Sequence, residues 1–428
     1  MRHVLIAILL ALLLPAAASA AGDPRGGEQW NLDQIESDAA HATATGAGAV
    51  IAVVDSGVQA DHPDLAGRLL PGHDFVDNDA TPRDGNGHGT HVTGIAVADT
   101  GNAIGVASVA PGAKVLPVRV LDNGGAGDSA TVARGIDYAR EQHVDVINLS
   151  LGSDVPLVGA VGGDETDAAI HRALAAGIVV VAASGNNGVP VCEQPAANDG
   201  LLCVGAVDKR KQRSFFSSFG SGLGVVAPGG SGLPMSGEDV LSTVPPSTYD
   251  VMAGTSQAAP HVSAVAALLA GLGLHGQAAV KRILDTATDL GPAGEDAQYG
   301  HGEVNARAAV AGLAGAGGGG GAGGGGAGSG GAVKPFVHVK RHQRASRGVR
   351  VRLRSVATGR ARVRVFWHGH RIGRKVRVAR AGVARTIVVK LRRTARRAAA
   401  HRAAELRAKV RVRLPGERRD RVRRVRLR

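Results

Sequence analysis

The chain has 428 residues, too many for one typical domain, so we expect two or more. Apolar residues make up 44% of it and aromatic residues only 3%, so a large core must be built from Ala, Val, Leu and Ile. Charge is unevenly divided, with a net +31 on residues 331–428 and a net −17 on residues 1–330. This excludes a uniformly basic protein and indicates an acidic body joined to a strongly basic tail.

Residues 1–20 predict a secretory signal peptide. Arg2 and His3 precede an apolar run over residues 4–14, and Ala18-Ser19-Ala20 is typical of a cleavage site. A membrane anchor is the alternative, but the run is shorter than the ~20 residues that span a bilayer, and no later stretch reaches that length. We therefore expect no transmembrane anchor after cleavage and a secreted protein, extracellular or associated with the cell surface.

In residues 21–314, continuous apolar runs alternate with helical patterns. Runs without polar alternation indicate strands covered on both faces, and strand–helix alternation predicts a doubly wound, mostly parallel α/β sheet. The runs are residues 49–54, 114–120, 144–149, 178–181 and 201–207, and the helical patterns are residues 89–98, 129–142, 165–175, 256–269 and 276–287.

The two cysteines, Cys192 and Cys203, lie in this first domain. In an oxidising compartment, two cysteines separated by a short turn-rich segment predict a disulfide. Two buried thiols are the alternative. A metal site is disfavoured because no histidine lies near the pair.

The rest of the chain predicts a linker and a second domain. Residues 315–332 are glycine-rich and typical of a flexible linker. Residues 333–428 alternate apolar and basic residues, which predicts a smaller, basic all-β domain, an antiparallel sandwich of roughly immunoglobulin type. Within it, the alanine-rich residues 394–408 indicate a helix or a loop. An extended, partly disordered arm is the alternative for the whole tail, and the regularly spaced valines argue against it.

Three segments carry residues that catalysis could use. Asp55 ends a buried strand, the position where α/β proteins place active sites. His88 stands among glycines where a helix begins, and Ser256 lies at a tight turn that opens a buried helix. Each alone has a simpler explanation: a turn or cap for Asp55, metal ligation with His91 for His88, and a helix cap for Ser256.

Taken in this order, the segments VVDSGV, NGHGTHVTG and GTSQAAPHV resemble the subtilisin family of serine proteases. The resemblance covers about residues 28–312. It implies a subtilisin-like fold and a serine endopeptidase with Asp55, His88 and Ser256 as the triad, working through an acyl-enzyme without a cofactor for the chemistry. An inactive protease fold that only binds is the rival reading, and the complete triad argues against it.

The resemblance also implies the residues around the triad. Asn186 would stabilise the oxyanion together with the backbone N–H of Ser256, and Asn187 is its neighbour without that role. Polypeptide substrates would bind as a strand beside Ser150, Leu151 and Gly152, with Ala182, Ala183 and Gly185 lining the primary pocket. Because those pocket residues are small and uncharged, we expect broad specificity with an apolar preference, and a monomeric enzyme.

Calcium is a further implication of the resemblance. Asp64 and Asn102 would ligate a structural Ca²⁺ through their side chains, and Ile104 and Val106 through their carbonyls. An ordinary loop is the alternative.

We expect the basic domain to be either a spacer with a solvated cationic face or a module that attaches the enzyme to an anionic cell-wall or other acidic polymer. Nucleic acid, anionic lipid and the acidic catalytic domain itself are the other possible partners. The tail lacks a pattern of stacking aromatic residues, which disfavours single-stranded nucleic acid.

Overall fold

The computed structural model describes residues 22–152, 164–233 and 236–313, and strands within residues 336–427. The signal peptide predicted over residues 1–20 and the linker predicted over residues 315–332 lie outside the described residues. The chain divides into two compact units, Met1–Gly320 and Gly321–Arg428.

A seven-stranded sheet forms the centre of the first unit, in the order β2-β3-β1-β4-β5-β6-β7 with every pairing parallel. The strands are β1 (Val50–Asp55), β2 (His73–Asp74), β3 (Lys114–Arg119), β4 (Val146–Leu149), β5 (Val179–Ala183), β6 (Leu202–Val207) and β7 (Leu223–Pro228). The predicted doubly wound α/β fold is confirmed, although β2 and β7 are not among the predicted strands.

Helices cover both faces of this sheet. They are α1 (Trp30–Gln34), α2 (Ser37–His41), α3 (His88–Val97), α4 (Ser129–Glu141), α5 (Asp164–Ala176), α6 (Thr255–Gly271), α7 (Gly276–Asp285) and α8 (Ala306–Val310). Ile51 and Val53 of β1 share a buried core with α3 and α6, whereas Ala52 and Val54 share the opposite core with α4 and α5. Both faces of the strand are therefore apolar, as a doubly covered sheet requires.

Among the described residues, no single helix is long and apolar enough to cross a membrane. Only α6 and α7 together, which are bent by 118° relative to each other, reach that length and composition.

An antiparallel hairpin, β8 (Val240–Val244) and β9 (Thr248–Met252), precedes α6. Its buried polar residues are bonded to α3: the hydroxyl of Ser242 donates to the carbonyl of His91, and that of Thr243 to the carbonyl of Thr90. The hairpin is therefore fixed to the helix that begins with His88.

The second unit contains only strands among its described residues. A three-stranded sheet has the order β10-β12-β15, and a five-stranded sheet the order β11-β17-β16-β13-β14. Pairing is antiparallel except between β11 and β17. The strands are β10 (Phe336–His338), β11 (His342–Gln343), β12 (Val349–Arg354), β13 (Gly359–Trp367), β14 (His370–Ala379), β15 (Ala384–Val389), β16 (Leu406–Arg413) and β17 (Arg421–Leu427).

The expectation of a helix or loop over residues 394–408 is wrong for the last three of these residues. Residues 406–408, expected to lie in a helix or loop, begin β16, because they continue the alternating pattern and pair with β17. Residues 394–405 lie outside the described residues. The sandwich arrangement stays a prediction.

Candidate active site

Asp55 and His88 are hydrogen bonded to each other. Asp55 is the last residue of β1 and fully buried, and His88 is the first residue of α3. The Nδ1–H of His88 donates to Oδ1 of Asp55 over 2.7 Å, and the N–H of Ser56 donates to the same oxygen at 2.7 Å. With Nδ1 used in this way, Nε2 is the atom through which the imidazole can accept a proton.

Asp84 holds the start of α3 beside the end of β1. Its carboxylate accepts from the N–H of Gly87 at 2.7 Å and from the N–H and hydroxyl of Thr90 at 2.8 and 2.6 Å. It also accepts from the hydroxyl of Ser56 at 2.9 Å, and that hydroxyl accepts from the N–H of Gly89 at 2.9 Å. These bonds hold the backbone on both sides of His88 beside the end of β1.

Glycine is required directly after His88. A Cβ at Gly89 would lie 2.1 Å from the carbonyl oxygen of Gly57. This close approach lets α3 begin against the residues that follow β1, which brings His88 next to Asp55.

The acids near His88 raise the pKa of its imidazole. Burial alone lowers that pKa, but the charge and hydrogen bond of Asp55 and the charge of Asp84 outweigh burial and hold the pKa above its ordinary value. A base with such a pKa needs a higher pH to be neutral than an ordinary histidine does.

We therefore expect kcat/KM to rise with pH through a midpoint above ~6.5, the ordinary histidine value. The protonated imidazole cannot accept the serine proton, so activity is lost as the pH falls through this midpoint. Asp84→Asn removes one of the two charges and moves the midpoint down. A profile of kcat/KM against pH measures both, and a wild-type midpoint at or below ~6.5 would contradict the expectation.

His91 makes different contacts from His88. It is fully buried, and its Nε2 lies 3.0 Å from the carbonyl oxygen of Val240 and 3.2 Å from that of Asp250. Burial lowers its pKa to about 3. Metal ligation by the two histidines gains no support, and within the described residues no group of three or more His, Cys, Asp or Glu side chains is placed to hold a metal ion.

The backbone of Ser256 is fixed by an unusual hydrogen-bond partner. Pro260 lies four residues later inside α6 and has no N–H for the carbonyl of Ser256. The hydroxyl of Ser150 donates to that carbonyl over 2.7 Å. Asn148 in turn donates from Nδ2 to the Ser150 hydroxyl at 2.9 Å and accepts from the Ser263 hydroxyl at 2.8 Å. This buried network ties the end of β4 to Ser256.

The start of α6 lies at the same edge of the sheet as Asp55. Gly254, which precedes the helix, donates its N–H to the carbonyl of Gly229 just beyond β7. α6 also packs against α3, the helix that begins with His88. No hydrogen bond between Ser256 and His88 occurs within the described residues; such bonds are often long without substrate.

Asn186 is held beside the start of α6 by Thr255. Its Oδ1 accepts from the N–H of Thr255 at 2.8 Å and from the hydroxyl at 2.9 Å. Its Nδ2 would lie 3.5 Å from a Cβ placed on Gly254. This orientation leaves Nδ2 as a donor next to the N–H of Ser256, which a helix does not pair internally.

The residues expected to bind substrate lie at the carboxyl ends of β4 and β5. Ser150 and Leu151 follow β4 and are buried, whereas Gly152 is exposed. Ala182 and Ala183 end β5, and Gly185 follows them. The two segments can therefore both face a peptide at this edge.

A carboxylate missed in the sequence adjoins Gly185. A Cβ on Gly185 would lie 2.0 Å from Oε1 of Glu193, whose residue is buried. Glu193 follows Cys192, and the expected disulfide between Cys192 and Cys203 is present. The residues expected to line the primary pocket therefore adjoin an acid, which the prediction from small, uncharged residues does not include.

The loop expected to bind calcium brings its residues together. Asp64 is fully buried; its Oδ1 accepts from Nδ2 of Asn102 at 2.9 Å, and its Oδ2 from the N–H of Val106 at 2.8 Å. The N–H of Ile104 donates to Oδ1 of Asn102 at 2.7 Å. Burial, and to a smaller extent the charge of Asp23, raises the pKa of Asp64, so a second acid lies near this loop.

Known proteins resemble this chain in sequence and in fold. The model of the subtilase family matches residues 46–302. Thermitase of Thermoactinomyces vulgaris is 44% identical over 282 residues, which cover 66% of this chain and 95% of thermitase. The chain is a subtilase. This subtilase is also 39% identical to subtilisin Savinase of Lederbergia lenta, over 65% of the chain and 97% of that relative.

A solved structure agrees with the match. A protease of Pseudoalteromonas arctica PAMC 21717 superposes with a TM-score of 0.62 at 35% identity, covering 69% of this subtilase and 100% of that chain. The predicted family and the predicted serine endopeptidase activity are confirmed.

Proposed function

We propose that Asp55, His88 and Ser256 form the catalytic triad of this subtilase. The 2.7 Å hydrogen bond between His88 and Asp55, at the sheet edge where α6 begins, is the observation that carries the assignment. A fluorophosphonate, which reacts with activated serines, tests it: the folded wild type is labelled and folded Ser256→Ala is not. Equal labelling of both would refute the assignment.

The hydrolysis then follows from the residues present. Oγ of Ser256 bonds to the substrate carbonyl carbon while Nε2 of His88 takes its proton, and Asp55 stabilises the resulting imidazolium. Nδ2 of Asn186 and the N–H of Ser256 bind the oxyanion. His88 next protonates the amine as the C–N bond breaks, leaving an acyl-enzyme. Water, deprotonated by His88, releases the acid and restores Ser256. No cofactor takes part.

The substrate is a polypeptide bound in extended form. A peptide lying beside Ser150, Leu151 and Gly152 gains main-chain hydrogen bonds that make few demands on its sequence. Ser150 also holds the carbonyl of Ser256 over 2.7 Å, so the substrate-binding segment and the nucleophile are directly connected. The enzyme is expected to act as a monomer.

A structural Ca²⁺ fits the loop around Asp64. Asp64 and Asp23 are both buried and bring two carboxylates to one loop, and the remaining candidate donors are the amide oxygen of Asn102 and the carbonyls of Ile104 and Val106. Such an all-oxygen set suits calcium. Bound there, the ion would stabilise the folded chain and contribute nothing to the chemistry.

Removal of calcium is expected to lower the melting temperature by several degrees, because ligand binding stabilises only the folded state. Differential scanning calorimetry with excess Ca²⁺ or with chelator measures the difference. In Asp64→Asn the difference disappears, while in the distant control Asp145→Asn it persists. Equal melting temperatures with and without calcium in the wild type would contradict the site.

The basic second unit attaches the enzyme to an anionic cell-wall polymer. Directly paired residues of antiparallel strands share a face, so the pairings of β13, β16 and β17 place eight cationic residues on one face. They are Arg362, Arg364, Arg407, Lys409, Arg411, Arg413, Arg424 and Arg426. Val363 and Val365 pair with Val412 and Val410 on the other face. β14 and β17 break the pattern, since Lys375 pairs with Val363, and Arg423 and Arg421 pair with Val410 and Val412.

So many charges cannot be buried without anionic partners. A regular cationic face with few aromatic residues matches a polyanion bound through its charges rather than a stacked nucleic acid. With the predicted signal peptide and the disulfide, this supports secretion and retention at the cell surface.

Retention on cell walls is expected to depend on this face. Arg424→Gln with Arg426→Gln lowers the salt concentration that elutes the full-length enzyme, because fewer counterions are released on binding. Arg421→Gln with Arg423→Gln changes the same net charge on the opposite face of β17 and has a smaller effect. Equal shifts in both pairs, or no retention by the wild type, would contradict the proposal.

A further inference from the structure

Glu193 is a buried acid without a cationic partner. It is 7% exposed, and its carboxylate accepts from Nδ2 of Asn187 at 2.7 Å and from the hydroxyl of Ser218 at 2.6 Å. No Lys, Arg or His of the described residues lies within ion-pair distance of it. Glu303, buried elsewhere, differs because Lys211 lies 2.7 Å from its carboxylate.

The carboxylate adjoins the two segments proposed to hold the substrate. The N–H of Glu193 donates to the carbonyl of Ser184 at 2.9 Å, and its Oε1 occupies the space that a Cβ on Gly185 would need. The carbonyl of the next residue, Gln194, lies 3.9 Å from where a Cβ on Gly152 would be. Glu193 therefore lies between the segment after β5 and the segment after β4.

The carboxylate of Glu193 lies beside Gly185, the residue directly before Asn186, and this position identifies which part of a substrate the carboxylate meets. The attacked carbonyl oxygen binds Asn186, the residue directly after Gly185. The side chain on the same substrate residue then lies next to Gly185, where the carboxylate of Glu193 is. This is the residue on the amino side of the scissile bond.

The chemistry of a carboxylate favours one class of side chain there. A carboxylate can accept about four hydrogen bonds, and two neutral donors occupy only part of that capacity. A buried charge is stabilised best by an opposite charge. Lys or Arg on the substrate would supply the missing cation, whereas an apolar side chain would leave the acid unpaired.

We propose that Glu193 makes this subtilase prefer Lys or Arg on the amino side of the cleaved bond. The inference rests on the proposed triad and replaces the apolar preference expected from Ala182, Ala183 and Gly185. The disulfide at Cys192, directly before Glu193, holds the segment that carries the acid.

Peptide anilides that differ only at this residue test the proposal. With active enzyme counted by fluorophosphonate titration, we expect the wild type to show at least about tenfold higher kcat/KM for Lys or Arg than for Phe. Glu193→Gln keeps the shape and removes the charge, so kcat/KM for Lys falls, kcat/KM for Phe rises because Phe no longer leaves a buried charge unpaired, and the ratio of Lys to Phe falls by about tenfold or more. Glu193→Asp keeps the charge, so we expect it to retain part of the preference for Lys over Phe.

Glu303→Gln is the matched control, since it removes a buried acid outside the site, and it leaves the ratio unchanged. A purely structural role of Glu193 would lower the rates on Lys and Phe alike, which would overturn the proposal. The proposal would also be overturned if the wild type reacts with the fluorophosphonate and cleaves the Lys and Phe substrates at equal rates. Failure of the wild type to be labelled at all would refute the triad instead.

A measurement on the wild type alone does not depend on folding of a variant. Benzamidine, a small cation shaped to pair with a carboxylate, is expected to compete with the Lys substrate at millimolar concentration or below. Phenol, of similar size but neutral, is not. Equal effects of both, or none, would overturn the assignment of Glu193.

Discussion

Ser256→Ala is expected to lower kcat on a peptide substrate by about a million-fold, the loss that removal of the triad serine causes in subtilisin. Without Oγ no acyl-enzyme forms, and only binding and the oxyanion donors remain to assist water. Because the carbonyl of Ser256, and not its hydroxyl, makes the 2.7 Å bond to Ser150, alanine keeps the backbone contact that positions α6. The folded structure is therefore retained.

Active-site titration, steady-state kinetics and circular dichroism measure these effects together. Ser108→Ala serves as the control: its hydroxyl donates to the carbonyl of Ala98 over 2.7 Å in a buried site away from the triad. We expect that variant to lose stability and to keep its turnover. A folded Ser256→Ala enzyme with turnover within about a hundredfold of wild type would contradict the role of Ser256 as nucleophile.

Asp55→Asn is expected to lower kcat near neutral pH by about 10⁴-fold. An amide has nearly the same shape as the carboxylate, but its NH₂ group can donate to Nδ1 of His88. That bond favours the imidazole tautomer with the proton on Nε2, which cannot accept a proton from Ser256. The charge that stabilises the imidazolium is lost as well.

Asp145 and His275 provide a matched control for Asp55 and His88. Asp145 lies 2.9 Å from Nδ1 of His275 at the surface, so Asp145→Asn removes a similar contact elsewhere. We expect kcat of Asp145→Asn to equal that of the wild type. A fall of less than about tenfold in Asp55→Asn would show that the carboxylate does not orient His88 for catalysis.

Most strands of the central sheet could be predicted from the sequence. β1 and β3 to β6 consist mainly of apolar residues and lack polar alternation, a pattern that indicates a doubly covered sheet without further information. β8 is not predictable in the same way because its buried Ser242 and Thr243 look like surface residues. Their hydroxyls are satisfied by the carbonyls of α3, a partner that only the folded chain supplies.

The same distinction holds for the site. Asp55, His88 and Ser256 stand in short motifs whose glycines and helix starts are visible in the sequence. Asp84 and Asn148 act through bonds to those motifs, and their partners are not visible before folding. Glu193 lies eight positions beyond Gly185, and only the return of the chain after Asn187 brings its carboxylate back to the pocket.

Pro260 is an exception to the common practice of replacing prolines inside helices. Replacing a proline inside a helix with alanine usually regularises and stabilises the helix, because the missing N–H is restored. In α6 the restored N–H would compete with the hydroxyl of Ser150 for the carbonyl of Ser256. A more regular helix would then release the nucleophile's backbone from β4, so a thermostability screen scored by melting alone would select against catalysis at this position.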